Sequence, residues 1–468
     1  MGEVTSAAWG RLAACLAALA CACGGGDETP AGPHAAGGTA GAAGAAGAAG
    51  AAGAGGAGGE GGSTPAGPPV VRLPRTSIAP EELAVLVNSK DEQSVAVAAY
   101  YREKRGIAPD HVITLELDTG ETLSAEAFAT VKAQLDAALG PEIQALVLTW
   151  TRPYRVDCMS VTSAFALGFD KKYCNTTGGA CGLTAAVGYF DSDSTRPFTD
   201  HGLRPAMMFA AAKVEDAYAL IDRGLAADST FPFGDGYLVR TTDAARSVRW
   251  PSFEDTVADW DHEAGLALTY VDNSGGQGLD YVENAANVLF YFTGLAQVPA
   301  IDSNGYRPGA VADHLTSFGG KVPVSEQMSV VRWLEAGATA SYGTVVEPCN
   351  YLHKFPNTRK LLPHYFRGET VLEAYWKSVR RPGEGLFVGE PLARPWAGAI
   401  VEYEAGTLTV RTTLLQPSKI YELRAAQSES GPYAAVLGGI SVPYYQQATI
   451  SLEGASEPFY ELAETGAP

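Results

Sequence analysis

The stretch LAVLVNSKDEQSVAVAAYYREKRG, residues 83–106, decides the fold of this chain. Its first five residues are all apolar, which is typical of a parallel strand buried on both faces. The segment that follows, residues 91–105, places Val95, Ala98 and Ala99 on one side of a helix, and Gly106 ends that helix. The stretch therefore predicts a strand and then a helix, the first half of a βαβ unit.

The same alternation continues downstream. A second strand at residues 111–117 precedes a helix that begins at Ser124 and ends before Gly140, and a third strand follows at residues 145–150. Further strands are predicted at residues 206–210, 236–240, 266–271, 288–292, 310–315 and 338–346, with helices at 214–225, 325–336 and 370–379. We therefore expect an α/β fold with a mostly parallel sheet flanked by helices.

After about residue 395 the pattern changes to short, alternating runs separated by turns. These runs lie at residues 399–403, 408–414, 420–425, 434–437 and 448–452. Alternation of this kind predicts antiparallel strands with one buried face. We therefore divide the folded part into an α/β domain at residues 76–397 and a small antiparallel β domain at residues 398–468.

The first 23 residues have the features of an export signal. Arg11 precedes an apolar run, residues 12–22, which is too short to span a bilayer. Cys21 and Cys23 each follow small residues, as the lipidated cysteine of a bacterial lipoprotein does, and either one fits. The prediction is a protein of the bacterial cell envelope, periplasmic or at the surface, anchored by lipid, with a plain secretory signal as the alternative.

Residues 24–75 predict a flexible linker. Glycine recurs at every third position from Gly38 to Gly62, but proline is absent from this run, so a collagen triple helix is excluded. A coil of this composition spans on the order of 40 Å. The linker would hold a folded domain away from the membrane.

The net charge of −19 argues against nucleic acid or an anionic membrane surface as a partner. Contact with the membrane is expected only through the lipid anchor. The sequence leaves the partner open as an unknown small molecule, peptide or envelope component.

Four cysteines lie beyond the signal region, and an exported chain can oxidise them in any of three pairings. We expect Cys174 to pair with Cys181 across a turn-rich segment, which leaves Cys158 with Cys349. The spacings contain no CxxC pair, which argues against zinc. Two acidic loops, residues 191–193 and 272–280, lack EF-hand spacing, so neither a metal nor a cofactor is predicted.

The segment PGAVADHLTSFGG, residues 308–320, is the best sequence marker of a site, because sites in open α/β sheets form beyond the carboxyl ends of strands. Ser317 and Thr316 are candidate nucleophiles and His314 a tentative base. Odd spacing along a strand directs His314 away from Ser317 unless the strand ends before Leu315. The base would then come from elsewhere, with His353 and His364 nearest in sequence. The candidate binding residues are Gly294, Asp302, Glu347, Arg152 and Glu390.

The stretch RPGEGLFVGEPLARPW, residues 381–396, has the proline and glycine density of a long ordered loop. Within it, Glu390 and Arg394 are spaced to form an ion pair. We expect this loop to act as a lid or rim for a pocket.

Six runs within residues 83–395 are specific enough to compare with known families: SVTSAFALGFD (160–170), LIDRGLAAD (220–228), PGAVADHLTSFGG, QMSVVRWLEAGATASYGTVVEPCN (327–350), KFPN (354–357) and GLFVGEPLARP (385–395). Together they resemble a family of exported bacterial proteins with no assigned activity.

A more distant resemblance is to the caspase-like, three-layer fold of gingipain-type cysteine peptidases, at residues 292–296, 316–320 and 336–340. That resemblance implies a catalytic histidine and cysteine at two strand ends. Leu295 and Ser317 stand at those places, so the usual dyad is absent. The sequence thus favours a binding or scaffold module. The alternatives are a hydrolase that uses Ser317 or Thr316, and a structural protein of the cell surface.

Overall fold

The computed structural model describes residues 68–175, 181–260 and 265–466. The predicted signal peptide, both candidate lipidation cysteines and residues 24–67 of the linker lie outside these ranges. Within them, no helix is long and apolar enough to cross a membrane.

In chain order, the strands are β1 (Val70–Arg72), β2 (Leu83–Asn88), β3 (Val112–Leu115), β4 (Thr122–Leu123), β5 (Ala145–Leu148), β6 (Arg155–Val156), β7 (Met159–Ser160), β8 (Ala206–Met208), β9 (Gly234–Arg240), β10 (Leu266–Asp272), β11 (Val288–Thr293), β12 (Tyr306–His314), β13 (Ala340–Thr344), β14 (Gly385–Gly389), β15 (Ile400–Glu404), β16 (Thr407–Thr412), β17 (Ile420–Ala426), β18 (Ala434–Ile440), β19 (Ala448–Glu453) and β20 (Phe459–Gly466). The α-helices are α1 (Glu92–Arg105), α2 (Ala125–Ala138), α3 (Val161–Leu167), α4 (Pro197–His201), α5 (Val214–Ala227), α6 (Trp250–Trp260), α7 (Val331–Ala336), α8 (Thr358–Phe366) and α9 (Val371–Ser378).

Ten strands form the central sheet, in the order β10-β9-β11-β12-β13-β14-β8-β5-β2-β3. Every neighbouring pair is parallel except β13 and β14, which run antiparallel. Every residue of strands β2, β5 and β11 is buried. Helices cover both faces of the sheet, so apolar side chains are favoured on both sides of these strands. The predicted α/β fold with a mostly parallel sheet is confirmed.

The helix boundaries follow from side-chain caps. Asp91 accepts a hydrogen bond from the backbone of Gln93 to begin α1, and Gly106 ends it with a φ of 66°. Ser124 caps α2 in the same way. Thr370 and Glu373 form a reciprocal capping box at the start of α9.

Two predicted elements of the α/β part are wrong. Residues 325–330 are not helical, and α7 begins only at Val331, because Ser325 Oγ accepts from Gln327 N at 3.2 Å and so favours a turn. Residues 385–389, predicted as part of a lid loop, form the central strand β14. Glu390 does not pair with Arg394: its carboxylate contacts Arg105 at 2.5 Å, inside the core.

The C-terminal strands form two further sheets, β1-β20-β17-β18 and β15-β16-β19, which share one apolar cluster. Most pairs are antiparallel, as predicted. Strand β1 joins β20 in parallel, with Val71 opposite Tyr460. Residues 70–72, assigned above to the linker, therefore belong to this β part, because Val71 and Leu73 pack on its core.

Both predicted disulfide pairings are wrong. Cys158 pairs with Cys174 and Cys181 pairs with Cys349, with Cα–Cα distances of 5.6 and 5.8 Å. Cys158 lies between β6 and β7, and the fold brings the segment that ends at Cys174 against this hairpin, where Asp170 N donates to Met159 Sδ at 3.4 Å. Proximity in sequence misled the prediction, because tertiary packing decides which Cα atoms lie within bonding range.

Candidate functional site

The candidate nucleophiles lie where β11 and β12 end side by side. The two strands pair in parallel, and Thr293 lies opposite His314. Thr316 and Ser317 follow directly, and the end of β13 lies beside them: Thr344 Oγ1 donates to the carbonyls of Thr316 and Ser317 at 3.1 and 2.9 Å. The sheet thus gathers three strand ends at one edge.

Arg249 fills the space between the first two of these strand ends. Its Nη2 donates to Thr293 O at 2.7 Å and forms an ion pair with Asp313 Oδ1 at 2.6 Å. Both side chains are buried. Burial raises the pKa of Asp313, and Arg249 opposes part of that rise. The buried pair therefore joins the residue before α6 to the ends of β11 and β12.

His314 is bound on both ring nitrogens. Trp333 Nε1 donates to His314 Nδ1 at 2.9 Å, so the proton of the neutral ring belongs on Nε2, which lies 3.3 Å from Gln327 O. Burial is the main cause that lowers the pKa of His314, Arg249 and Arg246 add to it, and the backbone of Gln327 and Met328 opposes it, so that the pKa lies at about 4. The imidazole is therefore neutral at pH 7, and its one acceptor nitrogen is occupied.

Gln327 closes the turn that carries the two candidate nucleophiles. Its Oε1 accepts from Thr316 Oγ1 at 2.5 Å and from Ser317 N at 3.0 Å, and Arg246 Nε donates to Thr316 Oγ1 at 3.3 Å. The Thr316 hydroxyl thus donates once and accepts once. Ser317 is half-buried, and its Oγ has no hydrogen-bond partner among the described residues. A serine without a base is a weak nucleophile, and the amide that could stabilise an oxyanion at this turn already donates to Gln327.

The other histidines and carboxylates considered from the sequence do not complete a catalytic set. His353 is exposed, and His364 lies in a separate charged cluster with Asp191 and Glu369. Asp302 pairs with Arg332 at 2.7 Å, and Glu347 Oε1 accepts from Cys349 N at 2.8 Å. None of these is bonded to Ser317.

The remaining candidate binding residues are also engaged within the fold. Gly294 is buried against the backbone of Arg246, where an added Cβ would meet the Arg246 carbonyl oxygen at 2.0 Å. Arg152 donates to Val322 O at 3.3 Å, which connects the end of β5 to the segment after β12. Glu390 lies in the core with Arg105. The structure therefore distributes the five candidate binding residues over separate contacts.

Sequence reasoning missed a cluster of buried charges around α8 and α9. Glu369 accepts from Lys377 Nζ at 2.8 Å and from Arg367 Nη2 at 3.0 Å, and its Oε1 lies 2.8 Å from His364 Nδ1. Burial alone would raise the pKa of Glu369, but His364, Lys377 and Arg367 lower it to about 2. The signal in the sequence is a pair of charged residues, Glu373 and Lys377, among the apolar residues of α9.

Sequence reasoning also missed a Ser–His contact. Ser192 Oγ lies 2.9 Å from His201 Nε2. The same hydroxyl accepts from Ser194 N at 3.1 Å, as the first side chain of a turn does. Within the described ranges, no carboxylate is bonded to the other ring nitrogen of His201. The contact therefore stabilises the loop that leads into α4.

Comparisons with known proteins add little to this geometry. No protein-family model matches the chain, and no curated protein matches it. One solved structure, named "Structure of Protease", aligns over 83% of this chain and 98% of its own length, with 9% identity and a TM-score of 0.41. A likeness at that level carries no conclusion about activity, so the proposal below is based on the contacts themselves.

Proposed function

We propose that this protein is a binding or scaffold module of the bacterial cell envelope that does not act as a hydrolase. The observation that carries the proposal is the bonding of His314. Trp333 occupies one ring nitrogen and Gln327 the other, so His314 is not available as a base, and no other base is bonded to Ser317 within residues 68–175, 181–260 and 265–466. The polar groups at these strand ends are hydrogen-bonded to one another. This bonding stabilises the scaffold but does not provide a nucleophile-base pair.

The distant resemblance to gingipain-type peptidases is consistent with this proposal. In that fold a histidine and a cysteine follow two strands, and here Leu295 and Ser317 follow the paired strands β11 and β12. Leucine cannot accept a proton. The proposal is therefore a caspase-like α/β domain without the His/Cys dyad, within the uncharacterised family of exported proteins that the chain resembles.

The alternative function is a hydrolase that uses Ser317 or Thr316. The contacts argue against both residues. Thr316 Oγ1 already donates to Gln327, and Ser317 Oγ has no base within the described residues. Such an enzyme would need a rearrangement that breaks the Trp333–His314 and Gln327–Thr316 hydrogen bonds together.

A fluorophosphonate probe separates the two functions. We expect no covalent labelling of the purified protein at pH 7 to 9, because the Ser317 hydroxyl has no base in the part of the chain that the structure describes. Mass spectrometry after tryptic digestion measures the modification at each serine. Labelling that Ser317→Ala abolishes would contradict the proposal, and so would labelling at Ser192, whereas a serine hydrolase added to the same sample serves as the positive control.

The proposed location follows from the residues that precede strand β1. A signal at residues 1–23, a lipidated Cys21 or Cys23 and a Gly/Ala linker would place the folded part on a tether at the cell envelope. The net charge of −19 is consistent with the proposal that the membrane is contacted only through lipid and that nucleic acid is not a partner. The partner proposed is a small molecule, a peptide or an envelope component.

Metabolic labelling tests the anchor. In a bacterial host fed with alkyne-tagged palmitate, we expect the wild-type chain to carry the label and the double variant Cys21→Ser/Cys23→Ser to lose it, because the thiol receives the lipid. The single variants identify which cysteine is used. Cys15→Ser is the matched control, since Cys15 lies near the start of the apolar run, before most of its length, and should keep the label. An unlabelled wild-type chain that is still exported would indicate a plain secretory signal.

A further inference from the structure

A polar cavity of about 660 Å³ lies between the α/β part and the C-terminal β part. The end of α6, the helix α8 and the loop at residues 191–193 line one side, and Gln416 and Tyr444 of the β part line the other. Volumes of roughly 300–1,000 Å³ are typical of ligand pockets, which form preferentially where two structural parts meet. The cavity lies apart from the strand ends that carry Ser317.

The charges that line this cavity are balanced and already paired. Three aspartates face three basic side chains: Lys360 contacts Asp191 at 2.6 Å, Arg359 contacts Asp259 at 2.9 Å, and Arg367 contacts Asp193 at 3.2 Å. The fourth nitrogen base of the lining, His364, is bonded as well, with its Nε2 3.4 Å from Asp191. An ionic ligand would have to displace one of these partners. A hydroxyl group can instead donate to a carboxylate and accept from a guanidinium without breaking the pair.

The rear wall of the cavity is rigid. Arg367 is 5% exposed and is held by Glu369, which also binds Lys377 and His364. The held guanidinium in turn fixes a carboxylate of the lining, because Arg367 Nη1 and Nη2 donate to Asp193 Oδ1 at 3.2 and 3.3 Å. Fixed polar groups of this kind suit a ligand that is oriented by hydrogen bonds.

Two tyrosines complete the site on the side of the β part. Tyr445 lies parallel to Trp260, with ring centroids 5.7 Å apart and an angle of 5° between the planes. Tyr444 lines the cavity and is 39% exposed. Aromatic rings offer apolar faces and a polar tip, which matches a ligand with both C–H and O–H groups.

We propose that this cavity binds a neutral saccharide. The paired charges select against ions, the hydroxyl-compatible polar groups set the orientation, and the tyrosines contact the C–H face of a sugar ring. This inference rests on the proposed function only in assigning the protein a binding role, and it does not depend on the state of Ser317 or His314.

The test is calorimetric titration of the purified full chain with glucose, galactose, N-acetylglucosamine, maltose and cellobiose, and separately with succinate and inorganic phosphate. We expect at least one saccharide to bind one to one and the anions not to bind. Asp259→Asn should weaken the affinity for that saccharide about tenfold, because the variant loses one charge-assisted hydrogen bond. Asp255→Asn is the matched control, because Asp255 pairs with the same Arg359 at 3.3 Å but does not line the cavity, and should change the affinity less than twofold.

Three results would overturn the inference. They are binding of none of the five saccharides, equal affinity in Asp259→Asn and Asp255→Asn, and binding of succinate or phosphate alone. Circular dichroism of each variant verifies that it is folded. The outcome is independent of the fluorophosphonate experiment, so failure of saccharide binding and failure of the non-catalytic proposal give different results.

Discussion

Replacing Arg249 with methionine is expected to lower the free energy of unfolding by about 3–5 kcal/mol, because the change leaves the Asp313 carboxylate buried without its cation. Arg249 Nη2 lies 2.6 Å from Asp313 Oδ1 and 2.7 Å from Thr293 O, and neither side chain is exposed. Chemical denaturation of the wild type and the variant at pH 7 measures the difference.

A matched pair of variants controls for this effect. Arg359→Met removes an arginine from exposed ion pairs with Asp255 and Asp259 and should lower the free energy of unfolding by only about 0–1 kcal/mol. Arg249→Met/Asp313→Leu removes both buried charges and should recover most of the stability lost by the single variant. If Arg249→Met costs no more than Arg359→Met, the buried pair does not organise the strand ends.

The second large effect is a dependence of stability on pH that comes from His314. Its folded pKa of about 4 lies below the unfolded value of about 6.5. The contribution of the neutral ring to the free energy of unfolding is therefore fully present above pH 6.5 and is lost as the pH falls toward 4. The difference between the two pKa values corresponds to roughly 3 kcal/mol in the free energy of unfolding.

The variant His314→Gln isolates this contribution. Both proteins keep the other groups that surround the ring, namely Arg246, Arg249 and the backbone of Gln327 and Met328. We expect the wild type to lose roughly 3 kcal/mol more than the variant between pH 6.5 and 4. Glu369, whose pKa is lowered to about 2, loses its contribution mainly below about pH 4.3 and so contributes little in this window. His353→Gln is the control, since His353 is exposed, and equal slopes for all three proteins would contradict the account.

Much of the α/β architecture could be predicted because its signals are local. The run at residues 83–87 is apolar throughout, and Asp91 and Gly106 mark the ends of α1 by mechanisms that operate within a few residues. The same holds for Ser124 before α2 and Thr370 before α9. Cap residues and apolar periods therefore indicated these elements without tertiary information.

The elements that could not be predicted depend on tertiary contacts. Strand β14 is rich in glycine and flanked by proline, and it becomes a strand because β13 and β8 pair with it inside the sheet. The disulfides depend on the docking of segments that are distant in sequence, up to 168 residues apart in the case of Cys181 and Cys349. Local sequence patterns contain neither kind of information.

The candidate site shows a related limit. Strand parity directs His314 away from Ser317 only if the strand continues past Leu315, and β12 ends at His314, so parity does not apply to the turn that follows. The two ring nitrogens of His314 are instead occupied by hydrogen bonds to Trp333 and Gln327, which lie 19 and 13 residues further along the chain. Because residues 325–330 were predicted as helix, the role of Gln327 could not be anticipated.

The most direct test of the central claim is a ¹⁵N NMR titration of the His314 imidazole, assigned by comparison with His314→Gln. We expect a neutral ring with its proton on Nε2 at pH 7, bound to Trp333 through Nδ1, that begins to take up a second proton only near pH 4. A ring that titrates near the unperturbed value of about 6.5, or that carries its proton on Nδ1 with Nε2 free to accept, would contradict the claim that His314 is unavailable as a base for Ser317.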